Sequence, residues 1–552
     1  MMEKKYHLFL GINLLFTFIC CSSPEVEVGT LDVIPQPYEV TQDTVEKPFV
    51  IDKNTVVYVP TRNESMKRIA NFLISYVDEL SGIKMSLVAK QPNKNAILLE
   101  VSEEVTEKEG YRMLVSTDLI TIKGGSENGL FYAVQTLFKA LPKVRGTEKL
   151  AAVPVGNVED FPRFAYRGFM IDVGRHFFPV SYMKRMIDMM ALHNINYFHW
   201  HLSEDQGWRI EIKKYPKLTE IGSTRDSTII DSKTNKYDRI PHKGFYTQDE
   251  VREIVRYAAD RFITVIPEID MPGHMMAALA SYPELGCTGG PYSVPCKFGV
   301  FKDVLCAGND QTLQFCKDVL EEVMAIFPSE YIHIGGDECP KARWKECPKC
   351  QAKICKLELK TTLKHSKENQ LQTYFMEEME KFINAHGRKM MGWDEILEGG
   401  LTPNSTVMSW RGVKGGIEAA RQHHPVIMTP IHFLYFSNPH WNKLKGVNSV
   451  KRVYGFDPVP AVLTSEEQAF ILGTQACIWT EWTSDTVKME WQALPRMAAL
   501  SEIQWTDPKK KDFESFKKRL PDLLNKYALR GYGYRKDIHD TSIMEMPADS
   551  LK

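Results

Sequence analysis

Two acidic residues stand side by side, Asp337 and Glu338, at the end of an apolar run broken by two glycines, Tyr331-Ile-His-Ile-Gly-Gly-Asp-Glu-Cys339. A carboxylic acid that gives a proton, next to a carboxylate that carries charge, is equipment for acid–base bond cleavage. Neighbouring side chains on a regular strand face opposite ways. Two carboxylates serving one pocket therefore belong where a strand is ending, and the glycines let the backbone turn there. In isolation the pair reads equally well as a solvated acidic turn. Other groups along the chain argue for a site. Asp172-Val-Gly-Arg175-His176, His199-Trp-His201-Leu-Ser-Glu204-Asp205 and Glu268-Ile-Asp270-Met-Pro-Gly-His274 precede it. Trp393-Asp394-Glu395, Trp410-Arg411, Tyr435 and Trp479-Thr-Glu481-Trp482 follow it.

Each group comes at or after a short apolar stretch. These stretches read as strands at 168–173, 195–202, 264–269, 331–334, 389–393, 406–410, 425–428 and 471–478, alternating with helices. The pattern predicts a (β/α)8 barrel with all of the groups at one mouth. Thr247-Gln-Asp-Glu250 is a capping box, and Ser181 is the expected cap of a helix that runs to His193. The connection 271–310 is long enough to build a site. Residues 22–155 read as a small α/β domain ahead of the barrel. It has one helix through Ile69, Phe72, Leu73, Tyr76, Val77 and Leu80, strands at 96–101 and 111–122, and a second helix opening at Ser126. Nothing in it assembles a reactive group. The barrel is placed at 156–530 and a tail at 531–552. The amphipathic stretch Phe513, Phe516, Leu520 and Leu523 is expected to close the barrel's outside.

With 552 residues, 43% hydrophobic and 25% charged, the chain is a globular protein of more than one domain. Its net charge of -1 argues against a nucleic-acid binder, which shows a basic excess. Residues 1–21 read as an export signal: Lys4 and Lys5, an apolar stretch from 8 to 19 too short to span a bilayer, then Cys20-Cys21-Ser-Ser. A cysteine at that place resembles a bacterial lipoprotein signal, with Cys20 or Cys21 as the lipidated residue. The expectation is an exported body, periplasmic or at the outer membrane or cell surface, that meets the membrane only through this lipid. Of the eleven cysteines, Cys339, Cys347, Cys350 and Cys355 lie close in sequence. Cys347-Pro-Lys-Cys350 has the spacing of a zinc knuckle or a redox pair, and a disulfide or buried thiols fit as well. There is no second CxxC and no His at ligand spacing, so no metal is assigned.

The tryptophans at the strand ends suit the apolar faces of a sugar ring, and the carboxylates and Arg175 suit its hydroxyls. The segments Arg167-Gly-Phe-Met-Ile-Asp-Val-Gly-Arg-His176, Phe198-His-Trp-His-Leu-Ser-Glu-Asp205, Asp270-Met-Pro-Gly-His274 and His333-Ile-Gly-Gly-Asp-Glu338 together resemble glycoside hydrolase family 20, the β-N-acetylhexosaminidases. The resemblance covers roughly residues 31–530. It implies an exo-acting retaining enzyme, without cofactor or metal, on glycans ending in N-acetylhexosamine. In that family the substrate's own 2-acetamido oxygen is the nucleophile.

Carried over, Glu338 is the general acid, Asp337 holds the acetamido nitrogen and Tyr435 its carbonyl oxygen. His274, with the acid at 204, supports Glu338. Arg175, Glu204, Asp205 and Glu481 fall among the substrate-binding groups, and Trp393, Trp410 and Trp479 enclose the sugar. Like-charge repulsion from Asp337 is expected to keep Glu338 protonated. Two positions depart from the commonest pattern: Glu204 replaces Asp, and Ser437 replaces an Asp or Asn that contacts the outer hydroxyls. The second leaves GlcNAc-against-GalNAc preference open. Two other readings are a disaccharide-releasing specificity, as in lacto-N-biosidases, and a non-catalytic glycan-binding lipoprotein. Oligomeric state is not readable.

Overall fold

The structure is a computed structural model that describes residues 24–60, 63–437 and 448–536. Cys20, Cys21 and residues 537–552 lie outside the described residues. The N-terminal unit is a seven-stranded sheet in the order Glu39–Asp43, Val155–Asp160, Tyr111–Val115, Leu119–Gly124, Ala96–Val101, Val56–Tyr58, Ser86–Val88. The single strand expected at 111–122 is a hairpin instead. The Ser116 hydroxyl donates to the Leu119 carbonyl at 3.0 Å and accepts from the Leu119 amide at 3.0 Å, so Ser-Thr-Asp makes the turn.

Helices Glu64–Ser81 and Glu127–Ala140 pack on this sheet, the second capped by Ser126. Glu127–Ala140 is buried on nearly every side, as a helix caught between two layers must be. The second layer is the barrel. Arg167, fully buried on the first barrel strand, donates to both oxygens of Glu109 at 2.9 Å and to the Tyr132 hydroxyl at 2.8 Å. Glu109→Ala would leave a buried guanidinium without its counter-charge. It is expected to cost about 3 kcal/mol, the low end for a broken buried pair because Glu109 is partly exposed. Urea unfolding measures this, and a loss below about 0.5 kcal/mol would refute it.

The barrel strands are β1 (Tyr166–Asp172), β2 (Tyr197–His201), β3 (Thr264–Glu268), β4 (Tyr331–His333), β5 (Lys389–Trp393), β6 (Thr406–Ser409), β7 (Val426–Met428) and β8 (Ile471–Ile478). All pair in parallel with the next in sequence. β8 closes on β1 through the register Tyr166↔Gly473 to Ile171↔Ile478. Inward side chains fill the interior, among them Tyr166, Met170, Ile266, Tyr331, Met391, Met408 and Ile427. The barrel is a packed support with its chemistry at one end.

The capping box of Thr247 and Glu250 opens helix Gln248–Ala259. Helix Val180–Leu192 differs from expectation: it begins after Pro179, and Ser181 lies within its first turn without capping it. The proline ring supplies the extended residue that starts the helix. Helix Phe513–Leu529 packs on helix Arg496–Trp505 through Arg519–Glu502 at 2.6 Å. It also reaches the N-terminal unit, where Lys526 donates to the Leu141 carbonyl.

Candidate active site

β4 ends at His333, and the chain turns through Gly335 and Gly336, both at positive φ, before presenting Asp337 and Glu338. A β-carbon on Gly335 would lie 1.7 Å from Asp270 Oδ1, so no other residue fits that turn. The Gly336 amide donates to the same oxygen at 3.2 Å, and Gln372 donates to the Gly336 carbonyl at 2.7 Å. The two acids then part company. Asp337 is buried, and its Oδ1 has no protein partner. Glu338 has a φ of 39°, strained for a residue with a side chain, and its side chain is 42% exposed.

His274, from the long β3 connection, stands between them. Its Nε2 lies 3.5 Å from Glu338 Oε2 and 3.7 Å from Asp337 Oδ2. Its Nδ1 donates to Glu204 Oε1 at 2.8 Å and to Asp205 Oδ2 at 3.0 Å. Burial opposes a charged imidazole, but Glu204 foremost among these carboxylates outweighs it, so His274 is an imidazolium. Contact with that cation holds Glu338 below the ordinary carboxylate range. Burial, reinforced by Glu268 and Glu338, raises Asp337 despite His274. This reverses the expectation from like-charge repulsion. The desolvation penalty falls on the buried acid, and the exposed acid keeps water and the cation.

Four aromatic rings make a continuous wall. Trp393 and Trp479 have centroids 5.6 Å apart, Trp479 and Tyr435 6.1 Å, and Tyr435 and Trp410 are stacked at 5.9 Å. Arg175 lies over Trp479 at 4.9 Å and is paired with Glu204 at 2.8 Å and Asp172 at 3.5 Å. Glu481 belongs to the same field: its carboxyl is raised by burial, with Arg175 pulling it down. The site therefore gathers Arg175, His274, Asp337, Glu338, Trp393, Trp410, Tyr435, Trp479 and Glu481 from seven strand ends. A cavity of about 350 Å³ opens beside Glu338 and Glu395. A larger one, about 690 Å³, lies at the rim around Asp394 and Arg411 and does not touch the acid pair.

Glu204 and Asp205, read from the sequence as substrate-binding, sit one layer deeper. Both are fully buried. Glu204 joins Arg175, His201 and His274, and Asp205 joins His274 and the Met276 amide at 3.0 Å. The support of His274 is thus shared by two carboxylates where one was expected. Glu268, placed by the sequence at the end of β3 but with no role of its own, is a further positioning group. Its carboxylate meets His201 at 2.6 Å, His199 at 3.0 Å and His333 at 3.1 Å, and accepts from the Trp393 indole at 2.8 Å. It fixes the ring at the floor of the wall. The signal was present in the alternation of His199 and His201 on β2, which points both inward. Glu395, likewise given no role by the sequence, accepts from the Trp410 indole at 2.9 Å, and burial raises it to about 8. The cysteine grouping is also revised. Cys347 and Cys350 meet Cys287 and Cys306, not Cys339 and Cys355.

Paired acids under an aromatic wall at the C-terminal mouth of a (β/α)8 barrel define a glycoside hydrolase. The family model described as glycosyl hydrolase family 20, catalytic domain, matches residues 164–508, and that for domain 2 of the family matches 30–161. The chain belongs to glycosyl hydrolase family 20. It is 42% identical over 540 residues to a beta-hexosaminidase of Porphyromonas gingivalis, covering 94% of this chain and 67% of the relative. The chain thus spans about two thirds of that relative's length. A GH20 exo beta-N-acetylglucosaminidase from Vibrio harveyi, solved with N-acetylglucosamine, superposes with a TM-score of 0.81 at 28% identity. The match covers 93% of this chain and 80% of that one. The GH20 beta-N-acetylhexosaminidase of Streptomyces coelicolor A3(2) gives 0.79 at 29% identity, covering 92% and 98%.

Proposed function

We propose that the protein is an exo-acting, retaining β-N-acetylhexosaminidase that removes terminal β-linked GlcNAc or GalNAc from glycans. The observation that carries this reading is the unequal acid pair. Asp337 is buried with an oxygen that no protein group bonds, beside an accessible Glu338. An acetamido N–H offers Asp337 the donor it lacks, and satisfying a buried carboxylate is worth more than satisfying an exposed one. The aromatic wall supplies the apolar face for the N-acetyl group and the ring.

In the first displacement the substrate's acetamido oxygen bonds to the anomeric carbon as the glycosidic C–O bond breaks. Glu338 delivers its proton to the departing oxygen. Asp337 orients the amide and balances the positive charge that grows on it, and Tyr435 donates to the attacking oxygen. In the second, Glu338 takes a proton from water, which opens the cyclic oxazolinium ion. Two inversions give net retention. Arg175 and Glu481 bind ring hydroxyls.

The nucleophile belongs to the substrate, so an aryl β-GlcNAc is expected to be hydrolysed and the matching aryl β-glucoside left essentially intact. A chromogenic assay compares them, and comparable kcat/KM on both would overturn the mechanism.

A further inference from the structure

The long connection after β3 and the helices after β4 are joined by four cysteine sulfurs that the catalytic reading does not use. Cys287 and Cys306 come from the first segment, and Cys347 and Cys350 from the second. Sγ of Cys306 lies 3.7 Å from those of Cys347 and Cys350, and Cys287 Sγ lies 3.9 Å from that of Cys350. All four sulfurs fall within 4.8 Å of one another. A disulfide requires about 2.0 Å. Four sulfurs around one zinc ion, with Zn–S bonds of about 2.3 Å, lie about 3.8 Å apart along the edges of a tetrahedron. The observed separations of 3.7–3.9 Å match the second geometry.

We propose that these residues form a structural Zn(Cys)4 site. Cys347-Pro-Lys-Cys350 is the knuckle. Cys347 is the N-cap of helix Pro348–Lys356 and Cys350 lies in its first turn. The other two sulfurs come from far away in sequence, with Cys287 and Cys350 63 residues apart. Cys306, Cys347 and Cys350 are buried and Cys287 is half-buried, so four protein ligands close the site and leave no open position for catalysis.

The surroundings fit a thiolate cluster. A β-carbon at Gly308 would fall 2.3–2.4 Å from the backbone of Lys349 and Cys350, so the two segments approach as only glycine permits.

The position explains what the clasp is for. The connection after β3 runs to helix Asp310–Ile326 with little regular structure, and such a stretch needs a cross-link to hold one shape. Next to Cys306, the Leu305 amide donates to the Pro272 carbonyl at 3.0 Å, two residues from His274. The Trp344 indole donates to the Leu305 carbonyl at 2.9 Å. Metal at the four sulfurs ties the loop that carries His274 to the segment that follows Asp337 and Glu338.

The test is metal analysis of the full chain, purified without a histidine tag or chelator. About one zinc per chain is expected in the wild type, falling below roughly a tenth in the double variant Cys347→Ser, Cys350→Ser. Should that variant fail to fold, cobalt substitution of the wild type decides. The visible d–d bands and near-ultraviolet thiolate charge transfer of tetrahedral cobalt are expected. A wild-type protein free of stoichiometric metal, or iron in place of zinc, would overturn the proposal. So would an intact mass showing the four cysteines as two disulfides.

Discussion

Asp337→Ala is expected to lower kcat on an aryl β-GlcNAc about 10²–10³-fold, the usual loss when a group aimed at developing charge is removed. The reason is geometric as much as electrostatic. Asp337 makes no bond in the reaction we propose, yet it offers a buried, unpartnered carboxylate oxygen for the acetamido nitrogen. Asp337→Asn keeps the shape but removes the charge, and its activity is expected to fall between wild type and the alanine variant. Neither change should unfold the protein, because burial already disfavours the charged form of this carboxyl. Thermal melting separates the two effects. A kcat within a few-fold of wild type for Asp337→Ala would remove the basis for an oriented acetamido nucleophile.

Glu338→Gln has a different signature. Acid assistance contributes about 10²–10⁴-fold, and it is needed most where the leaving oxygen is basic. The variant should therefore lose far more on an alkyl or sugar aglycone than on a nitrophenyl one, and equal losses on both would contradict its role. Reading the pH profile requires the signs. The free protein holds Glu338 low through His274 and Asp337 high through burial. The productive arrangement, Glu338 protonated beside ionised Asp337, runs against both tendencies, so the two limbs of kcat/KM belong to the coupled pair. Removing the imidazolium in His274→Gln lets both carboxyls bind protons more readily. The bell for kcat/KM should move to higher pH, with a lower maximum. A shift to lower pH would mean that His274 does not carry the charge the pair senses.

The barrel and the place of its mouth were legible in the chain because both rest on local signals. Inward and outward alternation set the strands, and Gly335-Gly336 can only be a turn that brings two acids to one side. Even the departures from expectation have local causes. Pro179 takes over a cap assigned to Ser181, and Ser116 closes a hairpin inside what reads as one strand. The lipid expected at Cys20 or Cys21 is read from sequence pattern alone.

Which residues touch which was decided only in three dimensions. Asp337 and Glu338 are adjacent and chemically alike, and nothing in the sequence says that one is buried and the other open to water. That difference arises from the strained left-handed backbone at Glu338 and from His274, brought from another strand. It inverts the order of proton affinity that simple repulsion suggests. Glu268 and its three histidines, and the meeting of Cys287 and Cys306 with a distant CxxC, are likewise long-range events. The sequence by itself determined the fold class, the strand ends that carry chemistry and the types of residue assembled there. The tertiary structure decided their burial and their partners. Both depend on neighbours tens of residues away in the chain, and it is these that set a carboxylate's charge and a thiol's chemistry.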